Sequence, residues 1–270
     1  MRTPDGDSQE GFVMSDQDIV LCEVSDHIAL VTLNRPPVNA LDRAMRDRII
    51  AIFDEISERD DVRVAVLTGN GKAFCAGADL RARPDLAKVG AFHDHNRVTR
   101  ETSNSIGECS KPVIAAINGV ALGAGMGLMA FCDIMLACQE ATFGMPEIDV
   151  GLAGGAAMMR TMFGRSTMRR MMYTGLRLDA AELYRRGIIE MVTTRENLVP
   201  EALKIAREIA SKAPLGIRYA KQSCNMVENM PQRDAYRIEQ NFTMALAATE
   251  DALEARTAML EKRKPVFKGR

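Results

Sequence analysis

The pattern of apolar and polar positions along the chain predicts a mixed α/β protein. Short apolar runs rich in β-branched residues favour strands, and longer segments with an apolar residue every three or four positions favour helices. Asp42 is predicted to cap a helix that runs to about Arg59. Strands are predicted at 19–24, 28–33, 62–68, 113–117, 134–137 and 189–192, the first two forming a hairpin through Ser25 and Asp26. Because most of these strands are separated by helical segments, the pattern indicates βαβ units.

The second half of the chain has a different pattern. After Gly155 the periodicity becomes helical, and four amphipathic segments begin at about Asp179, Pro200, Pro214 and Gln232. The N-terminal stretch is polar and aperiodic, which predicts a disordered tail and leaves both Met1 and Met14 as candidate start sites. We therefore expect three parts: a tail at 1–18, a core at 19–195 and a helical region at 196–270.

Composition narrows the class of protein. The chain has 270 residues, 47% of them hydrophobic and 5% aromatic, which is enough to bury one sizeable core. The net charge of −1 argues against partners such as nucleic acids or anionic membranes, since these require a basic surface. No apolar run reaches the length of a membrane span, and the N-terminus has no apolar signal core. We expect a cytoplasmic protein without membrane or nucleic-acid partners.

The cysteines and histidines show no spacing typical of a metal site. The six cysteines contain no CxxC pair, and a chain of this size needs no disulfide framework, so reduced core thiols are expected. His93 and His95 are two positions apart on a predicted helix and therefore point to different faces, where packing or solvation explains them. His27 has no partner at ligand spacing either. The sequence predicts no metal and no cofactor.

The stretch with the most candidate chemistry is 111–155, which combines an apolar run, a glycine-dense turn and the acid Glu147 in a segment otherwise poor in charge. A Gly/Ala turn between a predicted strand and a predicted helix leaves backbone amides free for a ligand oxygen. A dinucleotide fingerprint does not fit, because the sixth position counted from Gly123 is Leu128. A second small-residue turn, 69–80, follows the predicted strand at 62–68. It is no phosphate loop, because its GNGK continues into Ala73. Two turns that each offer a free backbone N–H could together bind one oxyanion.

Four motifs in this order and spacing resemble those of the crotonase (enoyl-CoA hydratase/isomerase) superfamily. They are NRPPVNAL at 34–41, GKAFCAGADL at 71–80, KPVIAAINGVALGAGMGL at 111–128 and FGMPEIDVG at 143–151. The resemblance extends from about residue 19 to the C-terminus. It implies a crotonase-like spiral of ββα repeats with a helical C-terminal region, assembled as a trimer or as a hexamer of two trimers.

The resemblance also assigns site residues. It implies that the backbone N–H groups of Ala78 and Ala124 form an oxyanion hole for a thioester carbonyl, and that Glu147 transfers protons. Enoyl-CoA hydratases of this family generally have a second glutamate, but its position here is Gly127. Some relatives carry an aspartate where this chain has Gly155, so dehalogenation and dienoyl isomerisation lose support. Apolar residues around Glu147 are expected to raise its pKa, as suits an acid/base group.

Coenzyme A would enter as part of the substrate. The resemblance places the backbone of 37–40 and the 76–80 turn around the adenine, with Arg81 near a phosphate. Arg81 and Arg83 could equally be plain surface cations. The terminal EKRKPVFKGR resembles an element that lies near the CoA of the same or a neighbouring subunit. The predicted CoA-binding residues are Pro37, Val38, Ala40, Ala76, Asp79, Leu80 and Arg81, and the acyl pocket is expected in 81–109 with Leu86, Val89, Phe92 and Ile106.

Several functions fit these residues. Hydration of an enoyl-CoA is the first hypothesis, since some hydratase relatives lack the first glutamate. Double-bond isomerisation is the second, because one carboxylate can take a proton from one carbon and return it to another. Thioester hydrolysis, C–C lyase chemistry and a non-catalytic CoA-ester binder remain as further alternatives.

Overall fold

The computed structural model describes residues 19–85 and 87–270. The predictions for the tail at 1–18, for Met14 as a start and for Leu86 in the acyl pocket lie outside the described residues. The strands are β1 Val20–Ser25, β2 Ile28–Leu33, β3 Val64–Gly69, β4 Ala73–Cys75, β5 Val113–Ile117, β6 Val120–Leu122, β7 Ile134–Cys138, β8 Thr142–Gly144, β9 Arg177–Asp179 and β10 Met191–Thr193. The helices are α1 Arg43–Glu58, α2 Ala91–Gly107, α3 Ala124–Ala130, α4 Ala156–Met162, α5 Arg165–Thr174, α6 Ala180–Arg185, α7 Arg195–Ala210, α8 Pro214–Val227, α9 Gln232–Ala247 and α10 Glu250–Leu260.

Two sheets organise the core. The larger sheet has the strand order β1-β2-β3-β5-β7-β10, and all neighbours after β2 pair in parallel. The smaller sheet has the order β4-β6-β8-β9, with β9 antiparallel at its edge. Every residue of β3 and β5 is buried, as expected for central parallel strands covered on both faces.

The chain builds these sheets by repetition. Three times in succession, one strand joins the larger sheet, the next joins the smaller sheet, and a helix or a 3₁₀ turn follows. The pairs are β3 and β4, β5 and β6, and β7 and β8. The predicted spiral of ββα repeats is therefore confirmed, and each repeat places the turn after its second strand on the same side of the molecule.

Most predicted elements occur, but three details were wrong. The hairpin turns at Asp26 and His27, whose φ values of 51° and 66° fit a two-residue turn, rather than at Ser25 and Asp26. Helix α7 begins at Arg195 instead of Pro200, because the Thr194 side chain accepts from the Asn197 N–H and starts the helix earlier. The Pro200 ring is accommodated within that helix.

The third difference is in the C-terminal region, where α10 follows the four predicted segments. The Thr249 hydroxyl accepts from the Ala252 N–H and so starts this fifth helix. The chain then folds back, and the Lys268 and Gly269 N–H groups donate to the buried Asp251 carboxylate at 2.7 and 2.8 Å.

Helix α7 packs against β3, β5 and β7 of the larger sheet. Its side chains Leu198, Ala202 and Ala206 are fully buried there. The part of the chain after residue 195 thus shares the hydrophobic core through its first helix, and α8 to α10 follow. Within residues 19–85 and 87–270, no helix combines the length and apolar character that a bilayer crossing requires.

Candidate active site

The two small-residue turns predicted from the sequence meet at the end of the smaller sheet. Leu41 joins the first turn by donating its N–H to the Gly77 carbonyl at 2.8 Å and accepting from the Asp79 N–H at 2.9 Å. Gly77 adopts a left-handed φ of 108°, and a Cβ there would lie 3.0 Å from the Leu122 oxygen and 3.7 Å from the Ala124 nitrogen. The turn at 76–80 therefore packs directly on the turn at 122–124.

Both predicted amide donors are available at this junction. Ala78 lies between Gly77 and Asp79, the two residues whose backbone is hydrogen-bonded to Leu41. Ala124 is the first residue of helix α3, so its N–H has no acceptor within the helix. Neither N–H donates to another residue of 19–85 or 87–270. Ala78 is exposed, so a ligand can reach its amide.

Two asparagines fasten these turns, and the sequence reasoning missed them. Asn39 is fully buried, and its amide donates to the carbonyls of Asn70, Ala73 and Phe74 at 3.0, 2.8 and 3.2 Å. It thereby ties the loop at 35–40 to the chain that leads into the 76–80 turn. The signal was present, since a polar residue between apolar neighbours in PVNAL requires partners when it is buried.

Asn118 does the same for the second turn. Its side-chain oxygen accepts from the Gly69 N–H at 3.1 Å, and its amide donates to the Gly69 and Gly71 carbonyls at 2.7 and 3.0 Å. The end of β3 is thus tied to the turn between β5 and β6. Together the two asparagines hold the segments before both oxyanion turns in one arrangement.

Glu147 is brought to the same junction by the 3₁₀ turn Pro146–Val150. Gly123 has a φ of 52°, and a Cβ at that position would lie 3.2 Å from the Glu147 carboxyl carbon and would collide with its Oε1. The carboxylate therefore sits over the α-carbon that immediately precedes the Ala124 amide. The structure brings together Glu147 and both turns, as the sequence predicted.

The environment of Glu147 is poorly solvated. Its Oε2 is buried and has no hydrogen-bond partner among the described residues. Phe143 and Met145 beside it are buried, whereas Ile148 and Val150 are exposed. Burial raises the pKa of Glu147 above its ordinary value of 4.5, against a smaller lowering by a backbone hydrogen bond. A raised pKa suits a carboxyl group that exchanges protons near neutral pH.

The position of the absent second acid, Gly127, faces methionine and hydroxyl groups. A Cβ there would lie 3.2 Å from the Met158 sulfur and 3.5 Å from the Ser103 hydroxyl oxygen. Thr99, one turn before Ser103 on α2, has a buried hydroxyl without a partner in the described part of the chain. The Met158 side chain and the Ser103 hydroxyl therefore lie next to Gly127, the position at which the resemblance implies a glutamate in typical hydratases.

The predicted CoA-binding segments lie next to each other. The Ala76 N–H donates to the Val38 carbonyl at 3.0 Å, so the loop at 37–40 and the turn at 76–80 form one surface. Val38 and Leu80 are largely exposed on it. Asp79 accepts hydrogen bonds from the Arg81 N–H at 3.0 Å and from Arg35 Nη2 at 2.7 Å. The Arg81 N–H, and after it the Arg35 guanidinium, lower the pKa of Asp79. The Arg81 side chain is exposed.

The expected acyl-pocket residues are not brought together. Ile106 is buried in the hydrophobic core because it lies on the inner face of α2, and Val89 is fully exposed before that helix. Phe92 is about half exposed and contacts the His95 ring. Beside Ala78 there is instead a cavity of about 100 Å³, lined by Leu41, Asp42, Arg43, Arg46, Ala78, Asp79, Leu80, Ala82, Arg83, His95, Val98 and Leu152.

Comparisons with known proteins show the family of the chain. A family model described as "Enoyl-CoA hydratase/isomerase" matches residues 23–270. The 2,3-dehydroadipyl-CoA hydratase of Escherichia coli (strain K12) is 34% identical over 249 residues, which cover 90% of this chain and 96% of that protein. A Mycobacterium tuberculosis protein, (7aS)-7a-methyl-1,5-dioxo-2,3,5,6,7,7a-hexahydro-1H-indene-carboxyl-CoA hydrolase, is 35% identical over 235 residues, 87% of this chain and 95% of its own.

A solved structure extends the agreement to the whole fold. The enoyl-CoA hydratase from Bacillus anthracis superposes with a TM-score of 0.87 at 31% identity, covering 94% of this chain and 100% of that one. The crotonase-like architecture expected from the motifs is confirmed. Because a hydratase and a hydrolase are about equally similar in sequence, identity at this level does not select the reaction.

Proposed function

Because the chain belongs to the enoyl-CoA hydratase/isomerase family, we propose that it is an enoyl-CoA hydratase in which Glu147 alone transfers the protons. The observation that carries this proposal is the position of Glu147, a partly buried residue whose carboxylate lies over Gly123 and next to the unused Ala124 N–H. One relative of this chain, the E. coli protein, bears the name of a hydratase.

The two backbone amides polarise the substrate. The N–H groups of Ala78 and Ala124 donate to the thioester oxygen and stabilise the negative charge that collects there when the α,β double bond is attacked. Asn39 and Asn118 hold the segments before both turns, so little reorganisation is needed as this charge develops. A donor of this kind contributes about two to three orders of magnitude in kcat.

Glu147 acts as base and then as acid in the same turnover. As a carboxylate it takes a proton from water while the water oxygen bonds to the β-carbon, and the electron pair of the double bond moves into the thioester enolate. The protonated Glu147 then returns that proton to the α-carbon. The sum is addition of one water molecule, and the carboxylate is regenerated.

Water must also be held on the side where the second acid is absent. The Ser103 hydroxyl near Gly127 and the unpartnered Thr99 hydroxyl one turn away can donate to it and accept from it. They position the nucleophile but do not exchange its protons, since an alcohol is too weak an acid and base for that role. No group beyond these residues and the substrate's own coenzyme A takes part in the proposed steps.

Double-bond isomerisation is the second candidate, and Met158 favours it. Its sulfur lies 3.2 Å from the Cβ position of Gly127 and makes this wall partly apolar, which would exclude water from the acyl group. Glu147 would then take a proton from the α-carbon of a 3-enoyl-CoA and return it to the γ-carbon. The amide donors would stabilise the same enolate.

One experiment decides between these reactions. Purified protein is assayed with 2-enoyl-CoA and 3-enoyl-CoA esters of matched chain length, and products are identified by mass. Loss of the conjugated thioester absorbance with a mass gain of one water supports hydration. Conversion of the 3-enoyl ester to the 2-enoyl ester without added water establishes isomerisation in its place. Binding of both esters without turnover would overturn both proposals and leave a CoA-ester binder.

The assembly and location are proposed on the family resemblance. We expect a trimer or a hexamer of two trimers, with the helical C-terminal region and the terminal basic segment near the CoA. Light scattering of the purified protein measures the assembly, and a monomer would contradict it. We expect a cytoplasmic enzyme, which fractionation of the source cells would test.

A further inference from the structure

One charged side chain near the site has no assigned role. Arg46 lies on α1 and is only 4% exposed, although a buried arginine is normally paired with an acid. Among residues 19–85 and 87–270, no side chain lies within ion-pair or hydrogen-bond distance of its guanidinium, and the nearby Asp42 acts on it through charge alone. The side chain lines the cavity beside Ala78. A buried cation facing an enclosed space requires an explanation.

The acids that border this cavity are already engaged elsewhere. Asp42 caps α1 at the Met45 N–H and forms an ion pair with Arg35 Nε at 3.1 Å, and Asp79 pairs with Arg35 Nη2 at 2.7 Å. Arg35 itself is not part of the cavity wall. Both carboxylates of the wall are thus paired with a cation outside it, and Asp42 acts on Arg46 only through its charge, without a hydrogen bond.

Two further neighbours do not neutralise Arg46. The Cys75 thiol lies close, but burial raises its pKa to about 11, so it is uncharged at neutral pH. His95 of the wall has its pKa lowered by burial and by the charges of Arg46 and Arg43, so it is neutral as well. An anion in this cavity would meet the buried guanidinium of Arg46, two further arginines of the wall, Arg43 and Arg83, and a neutral imidazole able to donate one N–H.

The location of the cavity indicates what the anion belongs to. Ala78, whose N–H would hold the thioester oxygen, forms part of the wall, so the cavity opens at the carbonyl end of an acyl group. Val98 and Leu152 supply apolar surface to the same wall. Leu152 follows the Glu147 turn and donates its N–H to the Glu147 carbonyl at 2.9 Å. The wall is therefore built for methylene groups that end in an anion.

We propose that Arg46 binds a carboxylate at the far end of the acyl chain, so that this enzyme acts on CoA thioesters of dicarboxylic acids. This inference rests on the proposed function, because it places the thioester at Ala78 and Ala124. A guanidinium binds a carboxylate through two parallel N–H donors, and burial strengthens the pair because water does not compete. A methyl-ended chain would leave the buried charge unpaired, which disfavours it.

The test uses saturated esters, which bind without turning over. Affinities are measured by calorimetry for pairs of equal length: succinyl-CoA and butyryl-CoA, glutaryl-CoA and pentanoyl-CoA, adipyl-CoA and hexanoyl-CoA. We expect the wild-type protein to bind the carboxylate-ended ester at least tenfold more tightly at one length. Arg46→Met should abolish this preference by weakening the carboxylate-ended ester, and it should not weaken the methyl-ended one. Equal binding of both members at every length overturns the proposal.

Two further variants serve as a matched control and as a second test of Arg46. Arg48→Met makes the same change on α1 at a residue whose charge acts on Cys22 of β1, away from the cavity, and should keep the preference. If Arg46→Met does not fold, Arg46→Gln removes the charge with a polar side chain of similar length and should lose the preference as well. A folded Arg46 variant that weakens both esters equally, or keeps the preference, contradicts the assignment.

The same data separate the two proposals. If neither kind of ester binds, the proposed function fails and this inference fails with it. If methyl-ended enoyl-CoA esters are hydrated and no carboxylate preference is found, only the role of Arg46 is wrong. If the preference is found without hydration, the substrate class stands and the reaction is wrong.

Discussion

Glu147 and Gly123 are in direct contact, with the carboxylate of Glu147 lying over the α-carbon of Gly123. The glycine serves two needs at this point. Its φ of 52° aims the following Ala124 N–H out of helix α3, and its missing side chain makes room for the carboxylate. Base and amide donor are therefore positioned by one residue, and a change there should affect both.

Gly123→Ala should abolish turnover in a protein that still folds. The added methyl group would collide with Glu147 Oε1 and displace the carboxylate, and the left-handed backbone adds about 1 kcal/mol of strain. We expect kcat to fall by at least about a hundredfold, since misplacing a reacting group by about 1 Å costs this much. Steady-state kinetics with the enoyl-CoA ester measures it.

Gly187→Ala is the matched control for backbone strain. Gly187 has a similar φ of 69°, and a Cβ there would meet no atom within 4 Å. Gly187→Ala should lose some thermal stability through backbone strain alone and retain activity, whereas Gly123→Ala should lose activity. Equal kcat values for the two variants would mean that the Gly123 and Glu147 contact does not matter for the reaction.

Glu147→Gln should separate chemistry from binding. The amide keeps the size of the side chain but cannot accept a proton, so kcat should fall by about two to four orders of magnitude. The affinity for a saturated CoA ester should stay within a few-fold, because the oxyanion amides and CoA contacts remain. Activity near that of the wild type would remove Glu147 from the mechanism.

The pH dependence follows from the same carboxylate. Glu147 must be ionised to accept a proton, and burial raises its pKa above 4.5. Activity should therefore be constant at high pH and fall as the pH decreases through this raised pKa, so the midpoint of the acid limb lies above 4.5. The profile of kcat measures it. A limb that persists unchanged in the residual activity of Glu147→Gln would show that another group titrates.

The local rules of the sequence predicted much of the fold. Fully apolar runs such as 113–117 are buried strands, and Asp42 caps α1 as expected. The start of α7 was misjudged because Pro200 is a stronger local signal than Thr194, while the capping bond to Asn197 decides where the helix begins. Pairing between strands far apart in sequence, such as β4 with β6, could be expected only from the motif resemblance.

The site was predicted in part for a similar reason. Glu147 and the two turns carry local signals, an acid in a segment otherwise poor in charge and clustered glycines, and the structure brings them together. Arg46 carries no such signal, because an arginine on an amphipathic helix usually faces solvent. Its burial depends on α2 and on the chain around Leu152, which cover that face of α1 from distant positions.

Ala124→Pro should remove one oxyanion donor and leave helix α3 in place. Ala124 is the first residue of α3, where proline fits because its nitrogen needs no helical acceptor. We expect kcat to fall by about a hundred- to a thousandfold. Arg165→Pro, at the first residue of α5, is the control and should retain activity. Turnover retained by folded Ala124→Pro protein would exclude this amide from the mechanism.

The last prediction concerns the second acid that is absent at Gly127, and it includes a second substitution that makes space for the new side chain. In Gly127→Glu the new side chain would meet Met158, whose sulfur lies 3.2 Å from the Cβ position, so Met158→Ala is combined with it. If the enzyme is a hydratase, the double variant should hydrate a simple 2-enoyl-CoA faster than Met158→Ala alone, because a second carboxylate then shares the proton transfers. If it is an isomerase, the added charge should crowd the acyl group and lower 3-enoyl to 2-enoyl conversion. Both reactions are measured on folded protein that binds a saturated CoA ester. A rise in isomerisation without hydration would contradict both versions and would mean that Gly127 does not occupy the position of the second acid.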